Sequence, residues 1–211
     1  MKDYNYNLRK ADGSLIANGL YDPRFEHDSC GVGFVAKLDG IPTHNIVTDA
    51  ITVLVNLEHR GATGGDKSTG DGAGIMVQLP DLFFRREVPE IKLPQIGDYA
   101  AGMVFMPKDS ILLDKCKKIV EKIIIDEGCD VIGWRKVPVY DSVIGELAKK
   151  TQPEIYQLFV HRGKISKDDF ERKLYVIRRL AEKEIDALNE DTSQFYIASL
   201  SSNRIVYKGL L

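Results

Sequence analysis

Hydrophobic residues along this chain follow helical and strand periods only after an irregular leader. Residues 1–29 show no sustained period and are interrupted by Gly, Asn, Asp and Pro, which is typical of a loop-like segment. In residues 110–127, apolar positions recur at i, i+4, i+7, i+8 and i+11, which predicts an amphipathic helix with Cys116 in the core. Ser166 and Asp169 form a capping box ahead of a long apolar face, which predicts the longest helix.

Weaker helical patterns predict three shorter helices. Thr48 is expected to cap a helix that ends near His59, because apolar residues between them recur at near-helical spacing. A helical turn is predicted around Phe83, and a short helix over residues 142–150. The pattern therefore predicts at least five helical segments.

Short apolar and β-branched runs bounded by turn residues predict strands. The predicted strands cover residues 30–36, 75–79, 99–106, 131–139, 155–160, 194–200 and 204–208. The first is followed by Asp39-Gly40, a turn signal that predicts a hairpin. The last two flank residues 201–203 and are predicted to pair with each other as a second hairpin.

A glycine-rich segment, GATGGDKSTGDGAG, occupies residues 61–74. Six glycines in fourteen positions exclude a helix or a central strand, because each interior glycine costs roughly 1 kcal/mol. The segment resembles a phosphate-binding loop, but it lacks both the GxGxxG spacing between strand and helix and the Gly-Lys-Ser/Thr of the Walker pattern. We therefore predict a loop held by backbone geometry and no nucleotide site.

Composition narrows the classes of function. The chain has 211 residues, 44% hydrophobic and 28% charged, which predicts one large globular domain or one domain with an appendage. A formal charge of −2 argues against nucleic acid as a partner. The leader is charged and has no apolar core, and no run of eighteen apolar residues occurs, which predicts a soluble, cytoplasmic protein without membrane contact.

Cysteines and histidines give no support to a metal site or a disulfide framework. Cys30, Cys116 and Cys129 are an odd number and form no Cys-x-x-Cys pair. The four histidines are scattered, and none has a partner at i, i+4 on a helix. We therefore predict no metal.

Four residues could carry chemistry, and each has a structural alternative. Cys30 precedes a glycine-containing apolar run where a small nucleophile would fit, although a lone cysteine is more often a buried core residue. Arg60 could bind a carboxylate, or it could compensate the dipole at the end of a helix. Asp66 and Asp71 could orient a ligand amine, or they could form Asx turns. The residues alone leave these alternatives open.

Two motifs carry a resemblance to a known family: EHDSCGVGFVA at residues 26–36 and LEHRGATGGDKSTGDGAGI at residues 57–75. They resemble the start of the glutaminase domain of glutamate synthases, which are class II glutamine amidotransferases. Further similar stretches cover residues 78–86, 99–107 and 195–211, so that the resemblance extends over nearly the whole chain. Amidotransferases of this class that act on phosphosugars resemble it only at the cysteine and the helix-Arg-Gly element, which disfavours that specificity.

The resemblance implies an α+β fold, the N-terminal-nucleophile hydrolase fold, with a four-layer αββα sandwich of antiparallel sheets. Residues 1–29 are then a leader or pro-segment, and residues 30–211 are the N-terminal part of the amidotransferase domain. Cleavage between Ser29 and Cys30 would make the cysteine the first residue of the mature chain. A free α-amine, with a pKa near 7.7–8.0, could then act as general base beside the thiol without a histidine.

The same resemblance assigns roles to individual residues. Cys30 is implied as the nucleophile that attacks the side-chain amide of glutamine, releases ammonia and leaves a γ-glutamyl thioester for water to hydrolyse. Arg60, Gly61 and Asp71 are implied as substrate-binding residues, with the Arg60 guanidinium suited to bidentate contact with the α-carboxylate. Residues 63–74 would line the glutamine pocket.

Cofactors are expected elsewhere in the parent enzyme. The resemblance implies that this chain binds no cofactor itself. The ammonia would pass to a synthase domain or subunit that carries FMN and an iron–sulfur cluster, where it joins 2-oxoglutarate. The implied roles are glutamate biosynthesis and ammonia assimilation, and the implied partners are glutamine and that synthase, an oxidoreductase.

The sequence departs from the family at its C-terminal side. Family members carry an Arg-Phe-Ser-Thr segment and a His-Asn-Gly-Glu segment, whose Asn side chain and Gly amide form the oxyanion hole, and neither segment occurs in these 211 residues. Loss of one such donor costs on the order of 10²–10³ in rate. The expectation is a truncated domain that is inactive or weak alone. The alternative is a non-catalytic glutamine-binding or regulatory subunit that retains the fold.

Overall fold

The computed structural model describes residues 31–57, 69–70 and 72–210. Five α-helices and six strands lie in this part of the chain. In chain order they are α1 (His44–Asn56), β1 (Gly72–Gln78), α2 (Asp81–Glu87), β2 (Tyr99–Met106), α3 (Ser110–Asp126), β3 (Asp130–Lys136), α4 (Glu146–Thr151), β4 (Glu154–His161), α5 (Lys167–Asp186), β5 (Tyr196–Ser201) and β6 (Arg204–Leu210). A single 3₁₀ turn, Asp141–Val143, precedes α4.

The strands form two antiparallel sheets. The larger has the order β3-β4-β2-β5, and β1 pairs with β6 in the smaller. All eight residues of β2 are buried, because the larger sheet is covered on both faces. Helices α3 and α5 cover one face, while α2 and the β1–β6 pair pack on the other. Helix α1 contacts β1. This arrangement agrees with the α+β fold and the αββα layering that the family resemblance implied.

Helices α3 and α5 match their predictions closely. Cys116 is fully buried in the core, as the helical period required. Ser166 caps α5, since its hydroxyl accepts a hydrogen bond from the Asp169 amide at 3.1 Å. Helix α3 ends in a Schellman motif, in which the Gly128 and Cys129 amides donate to the carbonyls of residues 125 and 124.

The prediction of a strand over residues 30–36 is wrong for residues 31–36, the part that the structure describes. Residues 31–37 have no strand pairing, and residues 38–39 form a turn without a hairpin. Val32 and Phe34 are 89% and 92% exposed, so these apolar residues do not face a core.

The predicted start of the first helix is also wrong. Helix α1 begins at His44 rather than after Thr48, and Thr43 occupies the N-cap position without a side-chain cap bond. Ile46 extends the half-buried stripe of Val53 and Leu57 toward the N-terminus, which explains the longer helix.

The predicted hairpin of the last two strands is wrong in its pairing. Both strands form, but β5 pairs with β2 and β6 pairs with β1, so that the connection crosses from one sheet to the other. Glu171 of α5 holds this connection, accepting hydrogen bonds from the Ser202 amide at 2.6 Å and the Ser201 hydroxyl at 3.0 Å. A carboxylate on a helix about thirty residues away in sequence thus stabilises the connection.

Replacing Gly163 by alanine should destabilise the fold strongly. Gly163 has φ of +58°, and an added Cβ would lie 2.4 Å from the Gly128 carbonyl oxygen. Gly40 is the matched control, because its φ is +66° but nothing lies within 4 Å of the added atom. We expect Gly40→Ala to cost about 1 kcal/mol of unfolding free energy and Gly163→Ala at least about 3 kcal/mol. Urea unfolding of the two variants measures the difference, and equal losses would contradict the steric argument.

Candidate functional site

The four predicted site residues, Cys30, Arg60, Gly61 and Asp71, lie outside the described residues. Their roles therefore stay predictions. The structure does describe the residues that flank them in sequence, and these flanking residues form three supports: the segment after residue 30, the end of α1, and the start of β1.

The segment that follows Cys30 lies against α1. An added Cβ at Gly33 would lie 2.4 Å from Cγ1 of Val53, and one at Gly31 would lie 3.0 Å from Cδ2 of Leu57. The two glycines are two residues apart, and both face α1. The contact is closest at Gly33, where there is no room for a side chain. Glycine is needed here for close approach, as the sequence suggested for this run.

The end of α1 is the second support. Leu57 is the C-cap residue, and its amide donates to the Val53 and Leu54 carbonyls at 3.1 and 3.0 Å. Leu57 also contacts the added-Cβ position of Gly31. The immediate chain neighbour of Cys30 is therefore adjacent to the helix end that precedes Arg60 by three residues.

The glycine-rich segment re-enters the described structure at Thr69. The Thr69 side chain is buried, and its hydroxyl oxygen accepts a hydrogen bond from the Gly145 amide at 2.8 Å. Gly72 then starts β1, which pairs with β6 along its whole length. An added Cβ at Gly74 would lie 2.6 Å from the Tyr207 carbonyl oxygen, so that the strands can approach only with glycine at this position.

The two described cysteines lie in the core and are poor nucleophiles. Cys116 and Cys129 are 0% and 2% exposed. Burial raises the pKa of each thiol to about 11. Because the thiolate is the reactive form, neither competes with Cys30 as a candidate nucleophile.

Charged groups next to the larger sheet, in α2, α5 and the connections at the ends of β2 and β4, form structural ion pairs. Asp98 accepts a hydrogen bond from Arg162 at 2.9 Å and lies 3.2 Å from Lys167, and these bonds lower the pKa of its carboxyl. Asp81 is partly buried, which raises its pKa, but hydrogen bonds from Arg85 and Tyr99 outweigh burial and lower it overall. The hydrogen bonds and ion pairs of Asp81 and Asp98 stabilise the segment between α2 and β2.

The described part of the chain contains neither a cluster of metal ligands nor a membrane-spanning helix. Among residues 31–57, 69–70 and 72–210, no three His, Cys, Asp or Glu side chains come together as metal ligands. The helices within these same ranges are all too short or too polar to span a bilayer.

Sequence reasoning missed three supporting residues, Val53, Thr69 and Gly145. Thr69 stands inside a quoted motif, but nothing in its spacing indicates a partner 76 positions away. Val53 belongs to the apolar stripe of α1, which indicates packing but not what it packs against. Such long-range partners carry no local sequence signal.

Comparison with known proteins identifies the family. The description "Glutamine amidotransferases class-II" matches residues 30–211. The large chain of glutamate synthase [NADPH] from Bacillus subtilis is 48% identical over 197 residues, 92% of this chain and 13% of that protein. Ferredoxin-dependent glutamate synthase 1 from Arabidopsis thaliana is 42% identical over 93% of this chain and 12% of that protein.

Glutamate synthase [NADH] from Saccharomyces cerevisiae is 39% identical over 228 aligned residues, 100% of this chain and 10% of that protein. The chain thus spans only about an eighth of the length of these curated relatives. The family match covers most of the sequence and begins at the cysteine on which the proposed chemistry depends. The chain belongs to the class-II glutamine amidotransferases.

Proposed function

We propose that this chain is the glutaminase part of a glutamate synthase and that it hydrolyses glutamine to glutamate and ammonia. The observation that carries the proposal is the family match, which starts at Cys30 and continues to residue 211. The relatives named above support the synthase assignment, since all three are glutamate synthases.

The reaction would proceed through a thioester on Cys30. After removal of residues 1–29, the free α-amine takes the thiol proton, and the sulfur attacks the side-chain amide carbon of glutamine. The C–N bond then breaks, and the same proton leaves with the nitrogen as ammonia. Water attacks the thioester, giving glutamate and restoring the thiol.

The packing of the segment after Cys30 on the end of α1 supports a common location for the predicted site residues. Gly31 contacts Leu57, and consecutive Cα atoms are 3.8 Å apart, which limits how far Cys30 and Arg60 can lie from this contact. In the proposal, Arg60 binds the substrate carboxylate, while Gly61 and Asp71 complete the pocket.

The family match favours catalysis over the alternative of a non-catalytic glutamine binder. FMN and an iron–sulfur cluster would belong to the synthase partner rather than to this chain. The charged leader without an apolar core supports a cytoplasmic location.

Active-site labelling tests the proposal. The purified chain is treated at pH 8 with a diazo-ketone analogue of glutamine and examined by intact mass and peptide mapping. We expect a chain that starts at Cys30 and carries one adduct on that residue, with glutamine protecting it. Cys116 and Cys129 should remain unlabelled, because a thiol with a pKa of about 11 is ionised in only about one molecule in a thousand at this pH.

Two results would count against the enzyme assignment. An uncleaved chain that binds glutamine reversibly without an adduct would support the non-catalytic alternative. Labelling that glutamine fails to slow would show that the cysteine reacts outside a glutamine pocket.

A further inference from the structure

Residues 137–153 form a long excursion between β3 and β4. These two strands are antiparallel neighbours, which a turn of about two to five residues could connect. The excursion contains the 3₁₀ turn and α4, so the single helix that the sequence predicted over residues 142–150 is interrupted. The connection is therefore much longer than strand pairing requires, which is typical of functional segments.

Three apolar side chains of this excursion face solvent. Val139, Tyr140 and Val143 are 47%, 78% and 60% exposed. Tyr140 and Val143 flank the 3₁₀ turn at a spacing of three residues, the repeat of a 3₁₀ helix, so they lie close together. Single exposed apolar residues are normal on a protein surface, but a contiguous group of them often marks an interaction site. We call these three residues the apolar patch.

The C-terminal base of the excursion is hydrogen-bonded to the rest of the fold. The Lys108 ammonium donates to the Lys149 carbonyl at 2.6 Å, and the Gln194 amide side chain donates to the Thr151 carbonyl at 3.2 Å. Gln194 also accepts a hydrogen bond from the Lys108 backbone amide at 3.2 Å. Ala148 of α4 is only 8% exposed. Because the base is fixed in this way, covering the patch costs little conformational freedom, which favours docking.

The size of the apolar patch limits what can cover it. A buried aromatic residue contributes roughly 150–250 Å², so one tyrosine and two valines that are partly exposed offer on the order of 300 Å² together. A stable complex between separate proteins needs about 800 Å² on each partner. The patch is therefore too small to hold a second copy of this chain or a freely diffusing protein by itself.

A covalently linked surface can dock on a small patch. Linkage raises the effective concentration to about the millimolar range, so that a weak contact suffices. The matched region is only 13% of the Bacillus subtilis large chain and 12% of the Arabidopsis thaliana protein, so most of each relative is joined to it in one polypeptide. The relatives thus contain a linked surface of the kind that the patch could bind.

We propose that Val139, Tyr140 and Val143 form the surface on which the rest of a glutamate synthase polypeptide docks. This inference rests on the proposed function, in which this chain is the glutaminase part of such an enzyme. The docking partner presents an apolar surface with a polar group for the Tyr140 hydroxyl, because a tyrosine at an interface uses both its ring and its hydroxyl.

Cysteine accessibility tests the docking. Tyr140→Cys is made in the 211-residue chain and in a hybrid in which this chain replaces the matching region of the Bacillus subtilis large chain. Peptide mapping then follows the rate at which iodoacetamide alkylates position 140. We expect this rate to be at least about tenfold lower in the hybrid, because a docked surface excludes the reagent from the thiol.

Tyr175→Cys is the matched control. Tyr175 lies on α5, is 64% exposed and is not part of the apolar patch. We expect its alkylation rates in the two proteins to agree within about twofold, since its exposure should not change. Equal slowing at positions 140 and 175 would show covering that is not specific to the patch and would overturn the proposal.

A second set of variants tests whether the apolar side chains cause the docking. Val139→Cys reports the accessibility of the patch, and Tyr140→Ser with Val143→Ser removes the other two apolar groups. We expect the triple variant of the hybrid to be alkylated at position 139 within about threefold of the rate in the 211-residue chain, while Val139→Cys alone stays protected. Substitutions at exposed positions should leave the thermal midpoint near wild type.

The outcomes separate this inference from the proposed function. Equal alkylation of position 140 in the 211-residue chain and the hybrid would overturn the docking surface. Protection in the 211-residue chain that grows with its concentration would indicate a second copy as the occupant and would also overturn it. Glutamate formation from glutamine by the unsubstituted hybrid is measured separately, and its absence would contradict the proposed function, whereas the alkylation ratio concerns docking alone.

Discussion

Replacing Cys30 by alanine is expected to lower glutamine hydrolysis by at least about 10³-fold, because removal of a catalytic nucleophile eliminates the covalent pathway. The methyl group of alanine cannot form the thioester, and the predicted Arg60, Gly61 and Asp71 contacts can only bind substrate. Ammonia release is measured with saturating glutamine, in the chain together with the synthase partner that the proposal assigns to it.

Cys116→Ala is the matched control for this prediction. This substitution also removes a thiol, but from a core position on α3, where the side chain is fully buried among apolar residues. We expect a loss of stability on the order of 1–2 kcal/mol from the small cavity but little change in hydrolysis of the folded protein. If Cys30→Ala retained wild-type hydrolysis, or if both variants lost it equally, the assignment of the nucleophile would be wrong.

The two long helices could be predicted because their signals are local. Helix α5 carries its start signal in Ser166 and Asp169, and the apolar period of α3 runs without interruption up to the Gly128 cap. Residues that contact one another along a helix are three or four positions apart, so the sequence contains the pattern directly. The αββα layering, in contrast, was implied by the family resemblance and not by these local signals.

Strand pairing was less predictable because its determinants are distant. Residues 201–203 carry a turn signal that fits a hairpin, yet β6 pairs with β1 in the other sheet, and Glu171 on α5 accepts hydrogen bonds from the connection. The short apolar run in residues 30–36 predicted a strand, but its described part packs two glycines on α1 and pairs with no strand among the described residues. A period of two indicates which side chains share a face, and not which neighbour is present.

The candidate site was predicted from motifs and not from physical patterns. By residue type alone, Cys30 and Arg60 are more often structural residues. Only the order and spacing of the two motifs pointed to catalysis and substrate binding. The bond between Thr69 and Gly145 had no sequence signal, since an acceptor hydroxyl and a backbone amide are too common to indicate a partner. The family therefore supplies the chemistry, and the structure supplies the supports of the loop.

Gly33→Ala is expected to reduce the labelling rate of Cys30 by the diazo-ketone analogue about 10- to 100-fold. The added Cβ would lie 2.4 Å from Cγ1 of Val53, and a β-branched side chain in a helix has little freedom to move away. The segment after Cys30 must then lift from α1. A displacement near 1 Å at a reacting group can cost on the order of 10²-fold in rate.

Removing the obstructing methyl groups should reverse this effect. Val53→Ala alone is expected to leave labelling near wild type, because Val53 is only half-buried and has no proposed role in catalysis or binding. The double variant Gly33→Ala/Val53→Ala should recover most of the lost rate, giving a large coupling between two residues in direct contact. Additive effects would mean that the alanine disturbs Cys30 by another route, such as a change in backbone freedom at residue 33. Recovery therefore ties the reactivity of the nucleophile to the packing of its segment on α1.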